Sequence, residues 1–288
     1  MARMRLILLT ALTMIAFAAN SVLNRMALAG DEIGPMAFAA LRLASGALAL
    51  AVLVWLRDRR VRLFGPRRSV GVASLFVYMV GFSAAYVALP AGLGALILFG
   101  GVQVTMFAGA VLGGERVPPA RWAGAALALV GLGWLMWPEG ADAPPLVFAA
   151  LMGAAAVGWG VYSLAGRRAG EPLAATAANF VLAAPVAVAL ALAVPEGGAS
   201  VRGMALAVVS GVVTSGLGYA LWYTVLPRLE ASVAALAQLT VPVIALAGGV
   251  ALLGEALTLR FAVAAVLVLG GVALGVLAPQ RTRSSSGS

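Results

Sequence analysis

The 288-residue chain contains no cysteine, no histidine and no lysine. Without cysteine there are no disulfides and no thiol chemistry. Without histidine, most transition-metal sites lose their usual ligands and a serine nucleophile lacks its usual base, so neither a metal, a cofactor nor a membrane-enzyme activity is expected. Charge is scarce, at 10% of residues, and its positive part is arginine alone: 19 against 10 acids, for a net charge of +9. An isoelectric point near 11.3 invites a nucleic-acid reading, but these arginines lie in short stretches between apolar runs, and no nucleic-acid partner is expected.

Hydrophobic side chains fill the rest, 63% of the chain against roughly 45–50% in a soluble domain. Runs of about 20 apolar residues, each enough to cross roughly 30 Å of hydrocarbon, recur along nearly the whole length. The fold class is therefore an all-α integral membrane protein in contact with lipid. The pattern predicts about ten transmembrane helices, over residues 5–28, 35–56, 69–89, 92–113, 120–137, 145–166, 172–194, 203–226, 231–253 and 259–278. The first run ends in Ala27-Leu28-Ala29, which resembles a leader-cleavage site, but it carries Asn20, Asn24 and Arg25 and reads as a retained helix. With the N-terminus in the cytoplasm, 15 of the 19 arginines fall on that side, including Arg57, Arg59, Arg60, Arg62, Arg67 and Arg68. The positive-inside rule thus predicts both termini cytoplasmic. Residues 279–288 are polar and read as a disordered tail.

The chain repeats itself. Tyr86-Val-Ala-Leu-Pro90 returns as Tyr223-Thr-Val-Leu-Pro227, and steps of four lead back from these tyrosines to Phe82 and Tyr78, and to Tyr219 and Ser215, each set on one helix face. Phe17-Ala-Ala-Asn-Ser21 aligns with Trp159-Gly-Val-Tyr-Ser163, and Gly114-Glu115 with Gly254-Glu255. A period this long indicates internal duplication, with repeats over 5–138 and 145–278. Five spans is an odd number, so the second repeat enters the membrane upside down, an arrangement that places a substrate site near the midplane between the halves.

Two five-helix repeats, the pairs Phe17-Ala18 and Trp159-Gly160 in the first helix of each, and a Gly-Glu before each last helix resemble the EamA-type transporters of the drug/metabolite transporter superfamily. Ala231-Ser-Val-Ala-Ala-Leu236, Pro242 and Leu253-Gly-Glu255 carry the pattern best. The first copy departs from it, with Val102 at the position of Pro242. The chain is most similar to ten-helix exporters of amino acids and related metabolites, the aromatic amino-acid exporters among them. The resemblance implies an inner-membrane carrier of bacteria with a small-molecule substrate, working by alternating access. A monomer is expected, with a dimer left open. Carriers of other metabolites or drugs, and a channel-like pore, remain the alternatives.

Candidate substrate-binding residues follow from polarity inside spans. Mid-span phenols and indoles face protein or water rather than lipid, which selects Tyr78, Phe82, Tyr86, Tyr219 and Tyr223, with the symmetric group Trp159, Tyr162 and Asn20. For Tyr86 and Tyr223, three residues from a helix-ending proline, an interfacial anchoring role is the other reading. Arg42 is the charge set deepest in an apolar run, suited to a substrate carboxylate or, alternatively, snorkelling outward. Gln103, Asn179 and Gln238 can bond a substrate or a neighbouring helix. Glu115 and Glu255 read as caps or braces at the surfaces. No acid or histidine lies mid-membrane, so a facilitative or weakly coupled carrier is expected.

Overall fold

The computed structural model describes residues 3–60, 62–65, 67–114, 117–137, 143–166, 171–229, 234 and 237–277. Glu115, most of the expected start of the ninth span and the tail at 279–288 lie outside these residues. Within them all regular structure is helical: α1 (Arg3–Ala29), α2 (Pro35–Asp58), α3 (Arg68–Ala85), α4 (Ala91–Leu112), α5 (Pro119–Met136), α6 (Leu146–Gly166), α7 (Pro172–Ala193), α8 (Val201–Val209), a π-helical segment (Ser210–Leu217), α9 (Gly218–Val225), α10 (Thr240–Leu253) and α11 (Leu259–Leu277). Among the described residues, 7 helices are long and apolar enough to cross a membrane, α8 to α9 forming one continuous rod over Val201–Arg228; Thr240–Leu253 and Leu259–Gly275 are shorter apolar helices.

Local chemistry sets the boundaries. Pro35, Pro119 and Pro172 open α2, α5 and α7, where a missing N–H costs nothing. Gly114 and Gly254 follow α4 and α10 with φ of 75° and 65°, the left-handed conformation that stops a helix and that a side chain resists. This accounts for the glycine of each Gly-Glu pair. The third helix stops at Ala85 rather than near residue 89, because Tyr86 to Leu89 turn ahead of Pro90.

The repeats interlock. α2 packs on α7, α4 on α10 and α5 on α11, each helix against its own counterpart, while α3 packs on α6 and α1 on the π segment and α9. Every pairing maps onto itself or another when the halves are exchanged. In α5 and α11, Gly131 lies beside Leu267 and Val268 whereas Gly124 lies beside Gly271 and Gly275, so the two run antiparallel.

These crossings depend on absent side chains. A Cβ on Gly158 of α6 would sit 2.8 Å from Ser74 O and Tyr78 N of α3, leaving only backbone to give way. Gly158→Val is therefore expected to cost about 1–3 kcal/mol, read as a lower melting midpoint in detergent. Gly133→Val, with no atom within 4 Å of its Cβ, should leave the midpoint unchanged.

Candidate functional site

α1, α3, α4, α6, the π segment and α9 surround a central cavity of about 20 Å³, room for one water molecule. Its polar wall is Asn20, Ser21 and Thr214; Tyr78 and Tyr219 add phenols, and Phe17, Phe82, Phe99 and Trp159 supply aromatic faces. Trp159 joins the two tyrosines, with ring centroids 4.9 Å from Tyr78 and 5.0 Å from Tyr219. Three of the residues picked from the two tyrosine series, Tyr78, Phe82 and Tyr219, thus meet at one point, although Tyr78 and Phe82 belong to the first repeat and Tyr219 to the second.

Arg42 is fully buried beside this cavity. Its Nε donates to Ser215 Oγ at 3.0 Å and its Nη2 to Tyr78 Oη at 3.0 Å, while the guanidinium lies 4.9 Å from the Phe82 ring centroid and 5.4 Å from that of Tyr78. Snorkelling is thereby replaced by burial. No carboxylate among the described residues pairs with it, and its Nη1 has no hydrogen-bond partner. Tyr219 Oη and Ser21 Oγ are likewise buried without a partner. Aromatic faces return part of the desolvation cost of a cation, but not all of it.

The π segment makes this geometry. Its wider turn brings Ser210, Thr214 and Ser215 to one side, all buried. Asn20 Oδ1 accepts from Ser210 Oγ at 2.6 Å and Thr214 Oγ1 at 2.9 Å, and Asn24 links Asn20 O to Ser83 Oγ. Gly211 lies against Arg42 O and Ser45 Oγ, a contact no side chain permits. Such turns recur at functional sites. Ser21 and Thr214 were not among the candidates above, and Ser215 stood only in the tyrosine series; for Thr214 and Ser215 the clue was three hydroxyls and three glycines between Ser210 and Gly218.

The other candidates fall elsewhere. Tyr162 donates to Thr176 Oγ1 at 2.8 Å, and Thr176 to Tyr223 Oη at 3.2 Å. Near them Asn179 Oδ1 accepts from Arg68 Nη1 at 3.1 Å, and Ala175 O does so at 2.8 Å. This second polar group sits beneath Trp159, whose ring stacks on Tyr162 at 5.4 Å. Tyr86 is fully buried but donates to Ala91 O, at 3.2 Å, in its own turn. Gln103 and Gln238 are half-buried and outside the cavity lining. Trp55, Trp122, Trp134 and Trp137 are exposed on the flanks.

At one end of the bundle Glu255 accepts the Ala91 N–H at the start of α4 with both oxygens, at 3.0 and 2.8 Å, and the Arg25 Nε at 3.3 Å. Arg25 Nη1 also donates to Tyr86 O and Val87 O, at 3.1 and 2.7 Å. This latch joins α1, the α3–α4 turn and the α10–α11 loop. Glu255 both caps and braces, as its position suggests.

The sequence profile of the EamA-like transporter family matches twice, over residues 4–137 and 147–277. An uncharacterized protein of Pseudomonas aeruginosa is 49% identical over 287 residues, 98% of this chain and 97% of its own. An uncharacterized transporter of Archaeoglobus fulgidus is 26% identical, covering 83% of this chain and 88% of its own. A protein of known crystal structure superposes with a TM-score of 0.66 over 95% of this chain and 98% of its own, at 23% identity, which shows a shared fold. With two matched repeats and a multi-pass helical architecture, the chain belongs to the EamA-like transporter family of the drug/metabolite transporter superfamily.

Proposed function

We propose that this transporter is a ten-span inner-membrane carrier, both termini cytoplasmic, that exports small zwitterionic metabolites, foremost amino acids with apolar or aromatic side chains. The observation that carries this reading is Arg42: a fully buried cation with an unpartnered Nη1, no paired carboxylate among the described residues and the unpartnered Tyr219 Oη nearby. A substrate carboxylate would accept from both donors, its ammonium would rest on the faces of Trp159, Tyr78 and Phe82, and its side chain would meet Phe17 and Phe99. Neutral sugars offer Arg42 no counter-charge, and phosphorylated compounds carry more charge than one arginine offsets.

Inverted repeats support alternating access. Helices that pair with their own counterparts across an axis lying in the membrane plane run antiparallel, as α5 and α11 do. An amino acid needs far more than 20 Å³, since small-molecule sites typically enclose about 300–1,000 Å³. The form described here is then occluded, and entry needs the halves to part.

The test is counterflow in proteoliposomes loaded with amino acids, nucleosides and sugars. Saturable exchange of amino acids is expected, changed little by an imposed pH gradient because no acid lines the cavity among the described residues. Tyr219→Phe should weaken it roughly tenfold through loss of one hydrogen bond to a charged group. Unselective leak would indicate a pore, and exchange confined to nucleosides or sugars would overturn the substrate class.

A further inference from the structure

Between α3 and α7 a furrow of about 570 Å³ opens on the outside of the bundle, apart from the central cavity. Val72 and Phe76 form one wall and Leu182 and Val186 the other; Phe64 and Arg68 stand at its mouth. Val186 and Phe64 are exposed, whereas Val72, Phe76 and Leu182 are half-buried. From Arg68 to Phe76 the wall rises about 12 Å, and from Ala175, level with Arg68, to Val186 about 16 Å, at 1.5 Å per residue. One leaflet of hydrocarbon is about 15 Å deep, so the furrow spans the depth of one acyl chain.

Its mouth is strongly cationic. Residues 57–68 hold Arg57, Arg59, Arg60, Arg62, Arg67 and Arg68 against a single acid, Asp58, which Arg57 already holds at 2.7 and 2.6 Å. Arg68 itself is fixed in place: its Nη1 grips Ala175 O and Asn179 Oδ1, while its Nε is buried with no hydrogen-bond partner. A donor held at the top of an acyl-length furrow, beneath a rim of exposed arginines, is complementary to a lipid phosphate in a headgroup without a positive charge.

We propose that this furrow is a binding site for one anionic phospholipid, its phosphate on Arg68 and one acyl chain between α3 and α7. The site lies outside the solute pathway and is independent of which solute the carrier moves. A headgroup bearing its own cation offsets the phosphate charge that Arg68 would receive, so the site discriminates by headgroup as well as by chain.

The experiment is native mass spectrometry of the full-length protein in detergent, titrated with palmitoyl-oleoyl phosphatidylglycerol or phosphatidylcholine. One phosphatidylglycerol should be retained at least roughly fivefold more tightly than phosphatidylcholine. Arg68→Gln should remove that preference and Arg62→Gln should keep it. Leu182→Trp, which fills the furrow and leaves Arg68 anchored, should weaken both lipids; melting midpoints identify any variant that is misfolded. Equal loss from Arg62→Gln and Arg68→Gln would overturn the proposal in favour of diffuse surface attraction. Retention by both Arg68→Gln and Leu182→Trp would overturn it outright. Displacement by equimolar inorganic phosphate would mean a free-anion site, and a dimer lost in Leu182→Trp would mean that a second copy occupies the furrow.

Discussion

Arg42→Met is expected to abolish amino-acid exchange while leaving the melting midpoint unchanged or raised. The two effects have separate causes. Arg42 is fully buried with no carboxylate partner among the described residues, and in the empty protein its desolvation is offset only by Ser215, Tyr78 and two ring faces. Exchanging a buried charge for an apolar side chain of similar size is commonly neutral or stabilising, even after the two hydroxyls lose a partner at about 1 kcal/mol each. Substrate binding loses charge-assisted hydrogen bonds of about 1.5–3 kcal/mol apiece, so exchange should fall on the order of a hundredfold or more. Arg42→Lys keeps the charge but not the fork, and should recover little of the activity. A midpoint several degrees lower, with exchange impaired only in proportion, would make Arg42 a structural residue and remove the basis for a carboxylate substrate.

Much of this was legible in the sequence because a membrane restricts the choices. Apolar runs become helices since lipid satisfies no backbone group, and the duplicated tyrosine faces pointed to Tyr78, Phe82 and Tyr219, which line one cavity with Asn20 and Trp159. Repeat equivalence was less reliable for individual side chains. Asn179, which follows Arg42 by the same 137 residues that separate Tyr86 from Tyr223, bonds Arg68 in the first turn of α3, whereas Arg42 bonds Tyr78 ten residues further along, about 15 Å away. In an inverted repeat, equivalent residues away from the midplane lie on opposite sides of it. The hydroxyls and glycines between Ser210 and Gly218 marked the segment, but its π-helical turn was not legible. One widened turn leaves apolar periodicity nearly intact, yet it decides which hydroxyls of Ser210, Thr214 and Ser215 face Asn20 and Arg42. The hydrogen-bonding amides of Gln103 and Gln238 made them candidates, but nothing in their spacing fixed the face they occupy.

Breaking the Glu255 latch should shift the resting state by one to two orders of magnitude. On the proposed topology the latch closes the outer side, where Glu255 holds the α4 N-terminus and Arg25, and Arg25 holds the carbonyls of Tyr86 and Val87. The cytoplasmic side has the ion pair Arg57–Glu171 at 3.1 Å, with side chains 47% and 70% exposed, and pairs so exposed contribute only about 0–1 kcal/mol. Charge-assisted bonds in the half-buried latch are stronger than that pair, and five of them hold the outer side against the two by which Arg68 ties α3 to α7 inside, so the inner side opens more readily, as loading from the cytoplasm requires. Burial raises the Glu255 pKa, against the opposing pull of the Ala91 N–H and Arg25. A carboxyl raised by folding binds its proton more tightly in the folded protein. Stability is therefore gained as pH falls through that raised value, complete below the ordinary 4.5, and Glu255→Gln should flatten this dependence. The cysteine-free chain allows a direct reading of the gate: Ser21→Cys places one thiol on the cavity wall. Glu255→Ala in that background should raise its labelling by an impermeant maleimide from outside about 10- to 100-fold. An unchanged rate would show that the outer side is closed by helix packing alone, with Glu255 serving only as a cap for α4.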